Sequence, residues 1–125
     1  MALEVQNPRQ TLTVTVSTAA TGLSDIVDLL GYRPASIDMS TAWTAAHLTF
    51  RGGNDTVTLR SLFDDGGTEI QCSTSTVIAD RSLVLRSDIS LALMAHRFLQ
   101  FRSGLSTAAV VQSTTRALTL VLVPV

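Results

Sequence analysis

The closing stretch of the chain, residues 98–125 (FLQFRSGLSTAAVVQSTTRALTLVLVPV), constrains the fold more than any other. Its last segment is strand-like, and Leu118, Leu120 and Leu122 fall on one face while Val121 and Val123 fall on the other. A strand with one wet face alternates apolar and polar residues, so a run that stays apolar on both faces calls for cover on both. Chain ends fray unless something holds them. One sheet of a small sandwich gives such a strand a single dry face, and the second face suggests a partner subunit.

The rest of the chain repeats the strand signal in shorter form. Leu12, Val14 and Val16 alternate with Thr11, Thr13 and Thr15, the pattern of a half-buried strand. Further strands are expected around Ile26–Leu30, Arg33–Met39, Trp43–Phe50, Val57–Leu59, Ile70–Cys72, Val77–Ile78, Leu83–Leu85, Phe98–Phe101, Ala109–Val111 and Arg116–Val123. Ile26–Leu30 reads as a short strand or a turn, Leu91–Phe101 reads alternatively as one long strand, and about eight short strands are expected in all. Turns are expected at Gly52–Asp55, Asp64–Gly67 and Ser103-Gly104. Residues 88–96 (DISLALMAH) break the alternation. Asp88 is a reasonable N-cap, and Ile89, Leu93 and Met94 give a rough helical face, so one short helical turn is expected there. Turn signals every 8–12 residues predict an all-β, antiparallel sandwich or barrel. Residues 1–10, with Pro8 and no sustained periodicity, are expected to form an extended arm, and residues 11–125 a single domain.

Composition supports this reading and excludes several function classes. A chain of 125 residues buries about two-thirds of its unfolded surface and needs no staples. Charged residues make up 15%, well below the usual ~25%, and Ser and Thr fill the gap. Net charge is −1, and the nine basic residues are all Arg and scattered singly, without the clustered basic face of a nucleic-acid binder. Arg in place of Lys either suits planar pairing with carboxylates at packed surfaces or reflects the base composition of the gene. The single cysteine, Cys72, rules out an intramolecular disulfide. No stretch approaches the ~20 apolar residues of a membrane span, and residues 1–10 lack the features of a secretory signal. A soluble protein made in the cytosol, with no membrane or nucleic-acid partner, is expected.

The catalytic vocabulary is thin. His47 and His96 occur in no metal-ligand spacing, Cys72 lies in phase with Ile70 on an inward face, and no G-x-S-x-G elbow exists. Asn54, Asp55, Asp64 and Asp65 are oxygen ligands beside glycines, but they lack the D-x-D-x-D-G spacing of a calcium loop and read equally as ordinary turns. No cofactor is expected beyond a calcium ion near Asp55, Asp64 and Asp65. Trp43, with Tyr32 and Phe63, is a candidate sugar platform against the alternative of core packing. Arg102 and Arg116 flank the final apolar hairpin. They are candidates for pairing across a subunit interface with Asp25, Asp28 or Asp88, or for stabilising their own turns.

Several separated segments share an order and spacing with a known group. Trp43-Thr44-Ala45-Ala46-His47-Leu48-Thr49-Phe50, Asp64-Asp65-Gly66-Gly67-Thr68-Glu69, Arg102-Ser103-Gly104, Gln112 and Arg116-Ala117-Leu118-Thr119-Leu120-Val121 together resemble small virion structural proteins of tailed bacteriophages. The likeness runs from about residue 11 to the end. It departs at Gly52–Asp55, where relatives carry Ser-x-Asp-Gly, and at Asp88, where they carry Pro. The resemblance implies a β-sandwich of jelly-roll type and a non-enzymatic capsid (head) decoration protein. Such a protein is a homo-oligomer, with a trimer expected, that docks on the major capsid protein and resides in the virion after assembly in the host cytoplasm. The interface residues expected on this reading are Arg102, Arg116, Leu120, Val121 and Val123. The alternative role is a carbohydrate-binding or tail adsorption module using Trp43.

Overall fold

The computed structural model describes residues 9–125. Of the expected arm, residues 1–8 lie outside the described residues. The chain is all-β and antiparallel with one short helix, as the alternation predicts. The elements are β1 (Gln10–Val16), β2 (Leu23–Asp28), β3 (Tyr32–Asp38), β4 (Leu48–Gly53), β5 (Arg60–Ser61), β6 (Gln71–Cys72), β7 (Ser82–Val84), α1 (Ser87–Leu93), β8 (Phe98–Leu105), β9 (Ala108–Ala109) and β10 (Arg116–Pro124).

The main path of the sheet runs β5-β4-β8-β2-β1-β10-β3-β7, with β6 added to β4 and β9 to β8. It curls into a half-barrel whose two halves face each other like the layers of a sandwich. One half is β1, β10, β3 and β7. The other is β2, β8, β4 and the short strands on β4 and β8. Between β1 and β2 the seam is a single pair, Val16↔Ser24. Inward residues from both halves build one core: Val14, Val16, Ile37, Leu118, Leu120 and Leu122 from the first, and Val27, Leu48, Phe50, Leu99 and Phe101 from the second. The rings of Phe50 and Phe101 meet edge to face, 5.4 Å between centroids, at the middle of the second layer. The helix α1 takes the chain from the β7 edge back to β8, burying Leu93 in the core and Ser90 against β3.

Most differences from the expected strands have a local cause. The Val57–Leu59 segment is not a strand, because the Asp55 carboxylate caps it, accepting from the N–H groups of Val57 and Thr58 at 2.8 and 2.6 Å. Only Arg60 and Ser61 pair with β4. Residues 74–76 and 79–80 turn where Val77 and Ile78 were expected to extend, and Val77 is drawn into the core.

Ser103-Gly104 is not a turn. It lies inside β8, and the chain reverses at Ser106-Thr107. Gly104 has φ +94, and a β-carbon there would sit 2.5 Å from Val110 N and 2.6 Å from Ala108 O. This left-handed residue lets β8 continue past β4, with the Gly104 N–H donating to His47 O at 2.7 Å, and then fold β9 back on it. Gly104→Ala is expected to cost about 1–3 kcal/mol of stability, from both strain and collision, readable as a lower urea midpoint at unchanged slope.

A second strained position has the opposite sign. Leu30 has φ 46, followed by Gly31 at φ 84, in the tight turn closed by Tyr32 N–H on Leu29 O at 2.9 Å. Its side chain is 66% exposed, so its packing does little to offset the left-handed backbone. Leu30→Gly or Leu30→Asn is expected to raise stability by roughly 0.5–1 kcal/mol, seen as a melting temperature a few degrees higher.

Candidate assembly surface

Strand register defines a surface as well as a core. The residues of β1, β10, β3 and β7 that do not point inward form cross-strand rows. One row runs Thr11, Val121, Ser36, Val84, and the next Thr13, Thr119, Asp38, Ser82. Val84 is 80% exposed and Val121 and Val123 are half-buried. The two rows hold hydroxyl and valine side chains with one carboxylate, Asp38, among them. Arg33, near one end, is turned toward α1, donating to Ser90 Oγ at 3.1 Å. The apolar second face of the terminal strand thus belongs to a four-stranded outer surface of low charge, the kind of surface on which protein contacts form.

The residues singled out in the sequence divide between this surface and the interior. Leu120 is wholly buried and belongs to the core, while Val121 and Val123 lie on the outer face. Arg102 and Arg116 are 8% and 9% exposed and are engaged within their own chain, so neither stands out toward a neighbour. Arg102 lies on β8 and pairs with Glu69 at 3.4 Å and with Ser61 Oγ at 3.0 Å. Burial lowers its guanidinium below the ordinary value, Glu69 works against that, and Arg51 nearby adds to it.

Arg116 needs no carboxylate. Its Nε donates to Gln112 Oε1 at 3.1 Å, Nη1 to Thr114 Oγ1 at 2.8 Å, and Nη2 to Thr44 Oγ1 at 3.2 Å and Ser113 Oγ at 3.0 Å. Gln112 is fully buried at the centre of this cluster. Its amide donates to Thr44 O at 3.0 Å and Ser103 Oγ at 2.7 Å, and its oxygen also accepts from Thr44 N–H at 2.8 Å. The network fastens the segment before β4 to the start of β10. Asp25 accepts from Thr15 N–H, Asp28 forms a two-pronged pair with Arg97, and Asp88 sits 3.5 Å from Arg86. The Arg97 pair holds the Asp28 carboxyl below its ordinary value.

Trp43 packs against the core cluster, with its indole N–H toward Ala46 O at 3.5 Å. Tyr32 also packs on the core, and Phe63 is 51% exposed in the hairpin that pairs Phe63 with Glu69. Trp43 and Tyr32 are thus partly buried against the core, whereas Phe63 is open to solvent. Asp55 and Asp64 are each occupied with their own turns, Asp64 Oδ1 accepting from Gly66 and Thr68 N–H at 2.9 Å. Among the described residues no three His, Cys, Asp or Glu side chains converge as metal ligands would. Among the described residues no helix is long and apolar enough to cross a membrane. His47 Nδ1 accepts from Thr74 N–H at 3.1 Å, and His96 Nδ1 is buried without a partner among the described residues.

Cys72 is buried in the core, and burial pushes its thiol up to about 11. The reagent-accessible thiolate is therefore scarce at neutral pH, and disulfide-exchange labelling of the native protein at pH 8 is expected to lag far behind that of the urea-unfolded chain. The linkage follows from the sign of the shift. Between the ordinary thiol value near 9 and the folded value near 11, the unfolded chain releases this proton and the folded one keeps it. Stability attributable to Cys72 is thus full below pH 9 and falls as pH rises toward 11. Cys72→Ala removes that part of the alkaline loss, which pH-dependent urea titrations read directly.

Three structural features escaped the sequence reading: the exposure of Val84, the pairing of Glu69 with Arg102 and the hub role of Gln112. Val84 is one apolar residue in a three-residue strand, and only the pairing of β7 with β3 puts it in line with Val121. No family model matches the chain, and no curated protein or solved structure does.

Proposed function

We propose that this chain is a non-enzymatic structural subunit of a tailed-bacteriophage particle, a head-decoration protein that self-associates and docks on the lattice of the major capsid protein. The observation that carries the reading is the low-charge outer face of β1, β10, β3 and β7, with Val84, Val121 and Val123 open to a neighbour. The virion resemblance of the Trp43–Phe50, Asp64–Glu69 and Arg102–Val121 segments supplies the setting. The mechanism is binding. A closed symmetric oligomer, with a trimer as the simplest case, buries the sheet face, and many copies on a lattice gain avidity from individually modest contacts. The glycan alternative rests on Trp43, which is partly buried against the core, and it is not taken further.

The test works on the face without touching the fold. Val84→Glu combined with Val121→Glu places carboxylates in the middle of the proposed contact, where unpaired like charges cost several kcal/mol. Light scattering on the eluting protein is expected to show an oligomer for the native chain and a folded monomer for the double variant. Removing residues 119–125 would not serve, because β10 lies between β1 and β3 and its loss breaks the sheet. Immunogold label spread over intact heads is the companion result. A native monomer, or particles without label, sinks the proposal.

A further inference from the structure

The sheet path ends at β7, and the free side of that strand is complementary to itself. Among the described residues the short strands β5, β6 and β9 hold two residues each, whereas β7 holds three, Ser82-Leu83-Val84, with no charge or proline among them. Antiparallel pairing fixes which of its backbone groups are free. Leu85 N–H donates to Ala35 O and Met39 N–H to Arg81 O, so residues 81, 83 and 85 bond to β3. Ser82 and Val84 alternate with them, and their N–H and C=O groups point away from β3. No described residue takes these groups up, and on that side β7 faces a cleft of about 580 Å³. A free strand edge recruits another strand, and the pattern of its free groups decides which strand fits.

We infer that β7 of one copy pairs antiparallel with β7 of a second copy about a two-fold axis at Leu83, joining two four-stranded faces into one sheet. With the axis there, Ser82 of each copy meets Val84 of the other, and each such pair exchanges two N–H···O bonds. These are the residues whose groups are free, so the register uses all of them. Moving the axis to Ser82 would set Val84 against Asp80, whose N–H already donates to Ser40 O at 2.9 Å. On the cleft side, Leu83 lies directly opposite its own copy, at the kind of site where cross-strand side chains come closest. On the outer side, Val84, 80% exposed, comes beside Ser82 of the other copy. Charge fits the same axis. Asp80 and Arg86 stand at equal spacing on either side of Leu83, both exposed, so each faces its opposite across the contact. Arg86 lies 3.5 Å from Asp88 in a contact open to solvent, and its fork keeps donors for a second carboxylate. This edge contact is separate from the sheet-face association proposed above and depends neither on it nor on the phage setting.

The test traps the register in the full-length chain carrying Cys72→Ala, which removes the native thiol. Under oxidation with copper phenanthroline, Leu83→Cys is expected to give a disulfide-linked dimer, because the two Cα atoms at such a site lie about 4.5 Å apart. An equimolar mixture of Ser82→Cys and Val84→Cys is expected to link one variant to the other, at about 5.5 Å. Neither links to itself, because the two copies of either residue stand about 9 Å apart, beyond the disulfide reach of about 7 Å. Val57→Cys, 89% exposed, reports random collision. Adding Ser82→Pro to Leu83→Cys removes an edge donor from each copy, leaves the β3 pairing, and is expected to slow linking about tenfold. Val121→Glu lies two strands from the edge and is expected to leave the links in place. The inference is overturned if Leu83→Cys and the mixture link no faster than Val57→Cys, if Ser82→Cys links to itself, or if Val121→Glu abolishes the links. The mixture, at two exposed positions, decides the matter should Leu83→Cys fail to fold. If the links fail while Val121→Glu still dissolves a native oligomer, the edge pairing falls and the sheet-face assembly stands. If the links form while Val121→Glu leaves the oligomer unchanged, the sheet-face assembly falls and the edge pairing stands.

Discussion

Gln112→Ala is expected to cost about 3–5 kcal/mol, a large share of the 5–15 kcal/mol that holds a domain of this size. One amide serves four partners: Thr44 N–H, Thr44 O, Ser103 Oγ and Arg116 Nε. Its fully buried position keeps water from replacing it. Each buried group left without a partner costs about 1–3 kcal/mol, and the Arg116 guanidinium loses one of its few acceptors in a setting with no carboxylate beside it. Gln112→Glu separates the contributions. It keeps the acceptor contacts and adds attraction to Arg116, but loses both donated bonds, so its cost is expected to fall between native and Ala. Urea unfolding by fluorescence of Trp43, close to the network through Thr44, reads all three. An Ala variant within about 1 kcal/mol of native would mean that the network is not a structural hub.

Glu69→Ala is expected to lose a similar amount, about 3–5 kcal/mol, by a different route. Among the described residues Glu69 is the one carboxylate on Arg102, and both side chains are nearly covered, at 11% and 10% exposure. Removing it strands a buried positive charge, with Arg51 on the same sheet adding to the repulsion. The carboxylate also accepts from Ser106 N–H at 3.1 and 3.2 Å, which ties the Phe63–Glu69 hairpin to the turn after β8. Replacing Glu69 and Arg102 together with Met is expected to recover much of the loss, because a buried ion pair adds little over apolar packing of the same volume. Denaturant midpoints of Glu69→Met, Arg102→Met and the double variant form a cycle. Equal, additive losses would remove the coupling on which the prediction stands.

What was legible in the chain follows from the range of each interaction. Alternation is local, so Val14, Val16, Leu48, Phe50, Leu118 and Leu120 could be placed on an inward face from neighbouring residues alone. The Asp64–Gly67 turn and the helix near residue 88 were legible for the same reason. Arg102 and Arg116 drew notice as charges beside the final hairpin, but Glu69 lies 33 residues from Arg102 and Thr44 lies 72 from Arg116, and no local pattern records such a meeting. A charge beside an apolar hairpin looks the same whether it faces a neighbour or its own interior. Ser103-Gly104 has the composition of a turn, and only the contact of Gly104 with His47 reveals that the glycine continues a strand. The place of β7 beside β3 was hidden because a three-residue strand carries almost no periodicity.

The place of β10 also bears on how the molecule comes into being. Its partners are β1 on one side and β3 on the other, and the β1 pairings join residues about a hundred positions apart in the chain. During synthesis from the N-terminus, β1 and β3 emerge early and wait as separate ribbons with an empty slot between them. The layer of β2, β4 and β8 can assemble in that interval, since its members are complete once residue 105 has been made. Only when β10 slides into the slot do both layers exist, so the last strand acts as a keystone, and a ribosome stalled short of it leaves two bare sheet edges ready to recruit the wrong neighbour.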